Sequence, residues 1–221
     1  MRNLAIGDIH GCLKSLETLV DFVGVTPKDT IITLGDYIDR GPNSKGVIDF
    51  LINLRKKHNL ITLKGNHESM ILASRDYYED LMNWLINGGI DTLNSFEAIE
   101  FEDIEDHYWE FFKSCKNFHE TDDHIFVHAG LAPDLDLHEQ EENSLLWIRF
   151  NDTEQHQSGK QVICGHTPQR PPVPAVKKHA VCIDSGACNQ GWLTCLDPVS
   201  GKYWQANEQG QTRSGQISVL D

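Results

Sequence analysis

The stretch GDIHG, Gly7 to Gly11, follows the apolar run Leu4-Ala5-Ile6, and its reading decides the fold. An aspartate and an imidazole are awkward to bury, and a turn does not need them both. In extended backbone Asp8 and His10, two apart, point the same way. One such stretch proves little, but the arrangement recurs. The β-branched run Thr30–Leu34 (TIITL) leads into GDYIDRG, Gly35 to Gly41. Leu60–Leu63 (LITL) leads into Gly65-Asn66-His67-Glu68. His124–His128 runs into Ala129-Gly130, and Gln161–Cys164 into Gly165-His166-Thr167-Pro168. Each leaves an oxygen or imidazole ligand where a β-run stops, usually beside glycine.

Between the first of these runs lie helical patterns. Leu13, Leu16, Val20 and Val23 recur at helical spacing, with Gly24 as the stop. Asn43 or Ser44 can cap a second helix that buries Val47, Leu51 and Leu54. Strand–helix–strand alternation predicts an α/β fold with a parallel sheet and right-handed crossovers. In such sheets the carboxyl ends of the strands form the ligand crevice. Val181–Ile183 and Leu193–Leu196 read as further short runs. From Ser69 to Cys115 the texture changes to aromatic residues among acids, broken at Gly88-Gly89, which predicts a helical insertion capping one side of the sheet. Its acidic run, Glu97 to Glu110, reads as a solvated face. Pro171, Pro172 and Pro174 mark a surface loop. No linker or repeat divides the chain, so one domain over residues 1–221 is expected.

Charge limits the partners. The 33 acidic and 19 basic side chains leave a net charge of -14, against nucleic acid or an anionic membrane as partner. A small anionic substrate stays compatible if metals or a few arginines invert the local field. No stretch approaches the roughly 18 apolar residues of a spanning helix, and no secretory signal is visible. The six cysteines include no C-x-x-C pair and read as free thiols, with a cytoplasmic location expected.

The residues that converge are Asp8, His10, Asp36, Asn66, His128 and His166. Two aspartates, one asparagine and three histidines exceed the needs of one tetrahedral ion. They suit two divalent first-row ions, manganese foremost, with iron or zinc as alternatives. Asp36, from a central strand, is the expected bridging carboxylate. Two ions about 3.5–4 Å apart can hold a bridging hydroxide and clamp a phosphoryl oxygen. His67 can then protonate the departing oxygen, with Asp39 orienting the ring and keeping it cationic. Arg40 offers a planar fork for phosphoryl oxygens. Arg149, in LLWIR, reads either as a second fork or as a surface ion-pair member. Glu68 reads as loop support, and Trp147 and Trp192 as core. The remaining histidines, His58, His107, His119, His124, His138, His156 and His179, read as surface or structural.

Taken in order, GDIHG, GDYIDRG, GNHE, HAG and GHTP resemble the phosphoprotein phosphatase family of metallophosphoesterases. IDSGA (Ile183–Ala187) and GWLTCL (Gly191–Leu196) extend the resemblance, which spans Gly7 to Leu196. It implies a calcineurin-like metallophosphoesterase fold, a central β-sandwich flanked by helices. It also implies a dinuclear metal centre and hydrolysis by metal-activated water without a phosphoenzyme. The same six ligands, the pair His67 and Asp39, and phosphate contacts by Arg40 carry over from the matching motif positions. HAG and LLWIR are similar to the compact bacterial and bacteriophage members. The expected function is therefore a manganese-favouring protein serine/threonine phosphatase, extending to phosphotyrosine, with a phosphorylated protein or peptide as partner. The first alternative is a diadenosine tetraphosphate hydrolase. The second is an inactive relative that only binds phosphorylated partners, against which the complete ligand set counts. The insertion is expected to shape substrate choice.

Overall fold

Alternation along each short strand sorts the apolar residues into three layers in the computed structural model, which describes residues 1–217. The first part of the chain runs β1 (Asn3–Ile6), α1 (Leu13–Val23), β2 (Thr30–Thr33), α2 (Ser44–Arg55) and β3 (Asn59–Thr62). Helices α3 (Asn66–Ala73), α4 (Tyr78–Trp84), α5 (Ile90–Phe96) and α6 (Asp106–Ser114) follow, with a kinked turn at Leu85–Gly89 where Gly88 leaves helical geometry. Next come β4 (Phe118–Glu120), β5 (His124–Val127), α7 (Glu142–Trp147), β6 (Gln161–Cys164) and β7 (Ala175–Val176). The chain then forms β8 (Ala180–Cys182), β9 (Leu193–Asp197), β10 (Lys202–Ala206) and β11 (Thr212–Gln216).

Two sheets result, ordered β11-β10-β9-β1-β2-β3 and β4-β5-β6-β8-β7. Their inner faces meet through Ala5, Ile32 and Leu196 on one side and Phe126, Ile163 and Val181 on the other. Removing each large side chain of this seam from water contributes about 1.5–3 kcal/mol before ordering entropy is subtracted. Leu4, Ile6 and Ile31 point the opposite way, onto α1 and α2. Ile125, Val127 and Val162 face outward under Leu145, Leu146 and Phe150. The architecture is the helix-flanked β-sandwich that the resemblance implied.

The parallel pairings β1–β2–β3 and β5–β6–β8 match strand–helix alternation. That alternation does not foresee the antiparallel extensions β9–β10–β11, β4 and β7. The reason is composition. Strands β10 (KYWQA) and β11 (TRSGQ) mix polar with apolar residues at a sheet edge, so no apolar run announces them. Helix limits were clearer: Gly24 ends α1 in the left-handed conformation, and Asn43 caps α2 by accepting the Gly46 N–H at 2.9 Å.

The helical stretch from Tyr78 to Ser114 packs beside α2 and α3, against the flank of the first sheet. Among the described residues, no helix is long and apolar enough to cross a membrane. All six cysteines are free thiols.

Candidate metal centre

The loops leaving β1, β2, β3, β5, β6 and β8 meet at one edge of the sandwich. Backbone bonds lock them together: His10 N–H donates to the Asp36 carbonyl at 2.7 Å, and Gly165 N–H to the His128 carbonyl at 2.7 Å. The close approach explains the glycines beside the ligands. A Cβ at Gly165 would strike the Asp8 carboxylate, and one at Gly65 the Asp36 carboxylate. Among the described residues, seven other than glycine hold a positive φ, and five of them are His10, Asp36, Asp39, Arg40 and His166. Backbone strain is thus concentrated where the motifs are.

All six expected ligands come together and are buried. Asp36 is central. One of its oxygens lies 3.3 Å from His10 Nε2, the other 3.5 Å from His128 Nε2. Two clusters of close donor atoms, His10-Asp36-His67 and Asp36-His128-His166, share Asp36 alone, and in the first His67 is bound to Asp39, which leaves His10 and Asp36 there as ligands. That is the geometry a bridging carboxylate requires. Asn66, at the start of α3, places Oδ1 2.9 Å from His128 Nε2 and 3.1 Å from His166 Nδ1. Asp8 belongs to neither cluster but lines the same cavity and accepts the His166 N–H at 2.9 and 3.2 Å.

The donor set fits divalent cations on three grounds. First, His10 and His128 turn Nδ1 to the carbonyls of Ile38 (2.9 Å) and Leu34 (2.8 Å), leaving Nε2 for the centre. Second, a neutral His128 carries one ring proton, yet both its nitrogens face carbonyl oxygens. A cation between Nε2 and the Asn66 oxygen resolves that conflict, and His166 Nε2 is buried with no protein partner. Third, buried acids crowd the site. Burial, with Asp184 and Asp36 nearby, drives the Asp8 carboxyl well above its ordinary range. Burial likewise pushes Asp184 up to about 7. Such crowding is costly unless positive charge is present.

The histidines divide by charge. Burial pushes His10 and His166 down to about 3, and His128 down as well, so all three are neutral and able to ligate. His67 goes the other way. Burial opposes its charge, but Asp36 and the hydrogen-bonded Asp39 outweigh that and raise it. Its Nδ1 lies 2.6 Å from Asp39 Oδ2, while Nε2 is buried, unpartnered and 3.9 Å from Asp36. A ring kept cationic cannot ligate and can donate a proton. Cations at the centre would offset the Asp36 charge, and Asp39 would then hold the ring's charge.

Around the centre lies a cavity of about 280 Å³. Arg40 enters it from one side, its Nη1 3.2 Å from His10 Nε2. Arg149 enters from another and donates to the His166 carbonyl at 3.2 Å. Glu68 supports the loop as expected, accepting the N–H groups of Asp36, Tyr37 and Gly65 at 2.8, 2.8 and 2.9 Å.

Trp147 corrects the sequence reading: it is 42% exposed at the cavity, because α7 ends there and only Leu145 and Leu146 turn inward. Sequence reasoning missed Asp184, which is buried and lines the cavity. It follows β8 in IDSGA, so the strand-end rule that found Asp8 and Asp36 applies to it equally. Asn87 also lines the cavity and carried no sequence signal.

The calcineurin-like phosphoesterase family matches residues 1–190, and the chain belongs to that family. It is therefore of the metallophosphoesterase class by family. It is 34% identical over 140 residues to a symmetrical bis(5'-nucleosyl)-tetraphosphatase of Pseudomonas putida, covering 62% of this chain and 45% of that one. The chain thus spans less than half the length of that relative. It is 30% identical over 206 residues to serine/threonine-protein phosphatase 1 of Salmonella typhimurium, covering 86% and 88%. Among solved structures, a cold-active protein-tyrosine phosphatase of Shewanella superposes with a TM-score of 0.68 at 16% identity, over 96% and 80% of the two chains.

Proposed function

We propose that this protein uses two divalent ions, manganese foremost, to hydrolyse a dinucleoside polyphosphate of the diadenosine tetraphosphate class. Bound at Asp8, His10, Asp36, Asn66, His128 and His166, such ions would acidify a water and offset the charge of the phosphoryl group. Asp36 is the residue shared between them. Arg40 and Arg149 bind phosphoryl oxygens from two sides of the cavity, with forks suited to a chain of phosphates. His67 Nε2 donates a proton to the departing oxygen, and Asp39 fixes the ring through Nδ1.

The observation that carries the substrate choice is the exposed Trp147 ring, which lines the cavity together with Arg40 and Arg149 and stands edge to face with His166. A purine can stack on it while phosphates engage the guanidinium groups. The identity to the tetraphosphatase points the same way and reverses the order expected from the sequence motifs. A second reading, phosphoserine or phosphothreonine hydrolysis on a protein, is favoured by the near end-to-end match to the serine/threonine phosphatase. The charge of -14 argues against nucleic acid or membrane as partner. Six free thiols agree with a cytoplasmic location.

The deciding experiment is steady-state kinetics with manganese on diadenosine tetraphosphate and on a phosphoserine peptide, for wild type and Trp147→Ala. A higher kcat/KM on the dinucleotide, with a KM that rises in Trp147→Ala, is expected. A peptide rate that dominates and ignores Trp147 would return the site to the phosphoprotein reading.

A further inference from the structure

The acid expected to serve the leaving group depends on the helical insertion, which holds none of the expected metal ligands. Asp39 is completely buried, and its carboxylate is gripped from three directions. His67 Nδ1 is one. The indole Nε1–H of Trp84 donates to both oxygens, at 2.9 and 3.1 Å, and the Thr92 hydroxyl donates to Oδ1 at 2.6 Å. Thr92 Oγ1 also accepts the Asp39 backbone N–H at 2.9 Å. Trp84 is the last residue of α4 and Thr92 lies in α5, so the kinked turn between them, broken at Gly88, sets their spacing.

That turn is wedged onto the same loop. The Asn87 carbonyl accepts Arg40 Nε at 3.3 Å. Gly88, with φ +116°, lies so close that a Cβ there would come within 2.8 Å of the Arg40 nitrogen and 3.2 Å of the Asp39 Cβ. Trp84 is also fully buried, and a packing role alone leaves its N–H without purpose.

We infer that Trp84 and Thr92 are positioning residues, which hold the Asp39 carboxylate so that His67 aims Nε2 at the leaving oxygen. This rests on the reading of His67 as the proton donor. The insertion is then part of the proton-transfer apparatus as well as a wall of the cavity. A carboxylate held by three donors keeps one orientation, and the 2.6 Å bond to His67 requires that orientation.

The test compares Trp84→Phe, Thr92→Val and His67→Asn on two aryl phosphates with manganese, alongside elemental analysis. Phenyl phosphate has a poor leaving group that needs a proton, and 4-nitrophenyl phosphate a good one that needs little. Trp84→Phe is expected to lower kcat on phenyl phosphate by about tenfold or more, and less on 4-nitrophenyl phosphate. KM and metal content should stay unchanged. The His67 Nδ1 proton should also move in the low-field NMR spectrum. Thr92→Val, nearly isosteric, should shift the same quantities in the same direction and carries the test if the tryptophan variant does not fold. Equal losses on both substrates, or none, in the variants that fold would overturn the inference. If His67→Asn discriminates strongly between the substrates while the other variants do not, the inference fails and the proton-donor reading stands. If His67→Asn does not discriminate, the proton-donor reading fails and takes the inference with it.

Discussion

The strand-end loops and the helices from Tyr78 to Ser114 contribute to one site in opposite ways. The loops place short polar side chains directly at the centre, on strained backbone with glycines at their sides. The helices send in Trp84, Thr92, Gly88 and the Asn87 carbonyl, which touch Asp39 and Arg40. The contrast teaches that ligation and proton delivery are built on different parts of the molecule. A change in one should be separable from a change in the other.

The strongest separation is expected at Asp36. Replacing it by Asn removes the charge shared by both clusters, so both ions should be lost together and turnover should fall by about 10⁴-fold or more. Elemental analysis checks this, and loss of one ion alone would contradict a bridging role. His67→Asn should instead keep both ions and slow turnover by about 10²–10⁴-fold, the scale of general-acid loss. Equilibrium dialysis with manganese distinguishes the two variants.

Gly165→Ala tests whether glycine is needed beside a ligand. The added Cβ meets the Asp8 carboxylate, so metal affinity should fall by about 10–100-fold, as when a ligand's supporting contacts are disturbed. Calorimetric titration of manganese reads that loss.

How much of this was legible depended on distance along the chain. Asp8, His10, Asp36, Asn66, His128 and His166 could be read because each follows a β-run within a few residues. Asp184 follows the same rule after β8 and was overlooked, since its motif served only as support for a resemblance. Trp84 and Thr92 could not be read. A tryptophan in a helix reads as core, and its partner Asp39 is 45 residues away. Trp147 misled because LLW is apolar throughout, while α7 is six residues long and ends at Trp147, with only Leu145 and Leu146 buried. The parallel strands were visible as apolar runs, and the polar edge strands β10 and β11 were not.

The smallest effect tests whether scaffold and site are independent at the far end of β2. There Asp29 pairs with Arg2 at 2.7 Å, and this hydrogen bond holds its carboxyl well below the ordinary range despite burial. Asp29→Asn should cost about 1–3 kcal/mol of stability at neutral pH with metal content and kcat unchanged. A depressed carboxyl stabilises the fold above the unfolded pKa of about 3.9, so the gap between wild type and variant should close as pH falls below that value. Urea titrations across pH measure the gap.

The account stands on a pair of cations gripped by six side chains from five separate strand ends. Anomalous diffraction from crystals grown with manganese tests it most directly. Two peaks about 3.5–4 Å apart are expected, with Asp36 between them, His10 at one and His128 and His166 at the other. A single peak, or two that Asp36 does not touch, would contradict it.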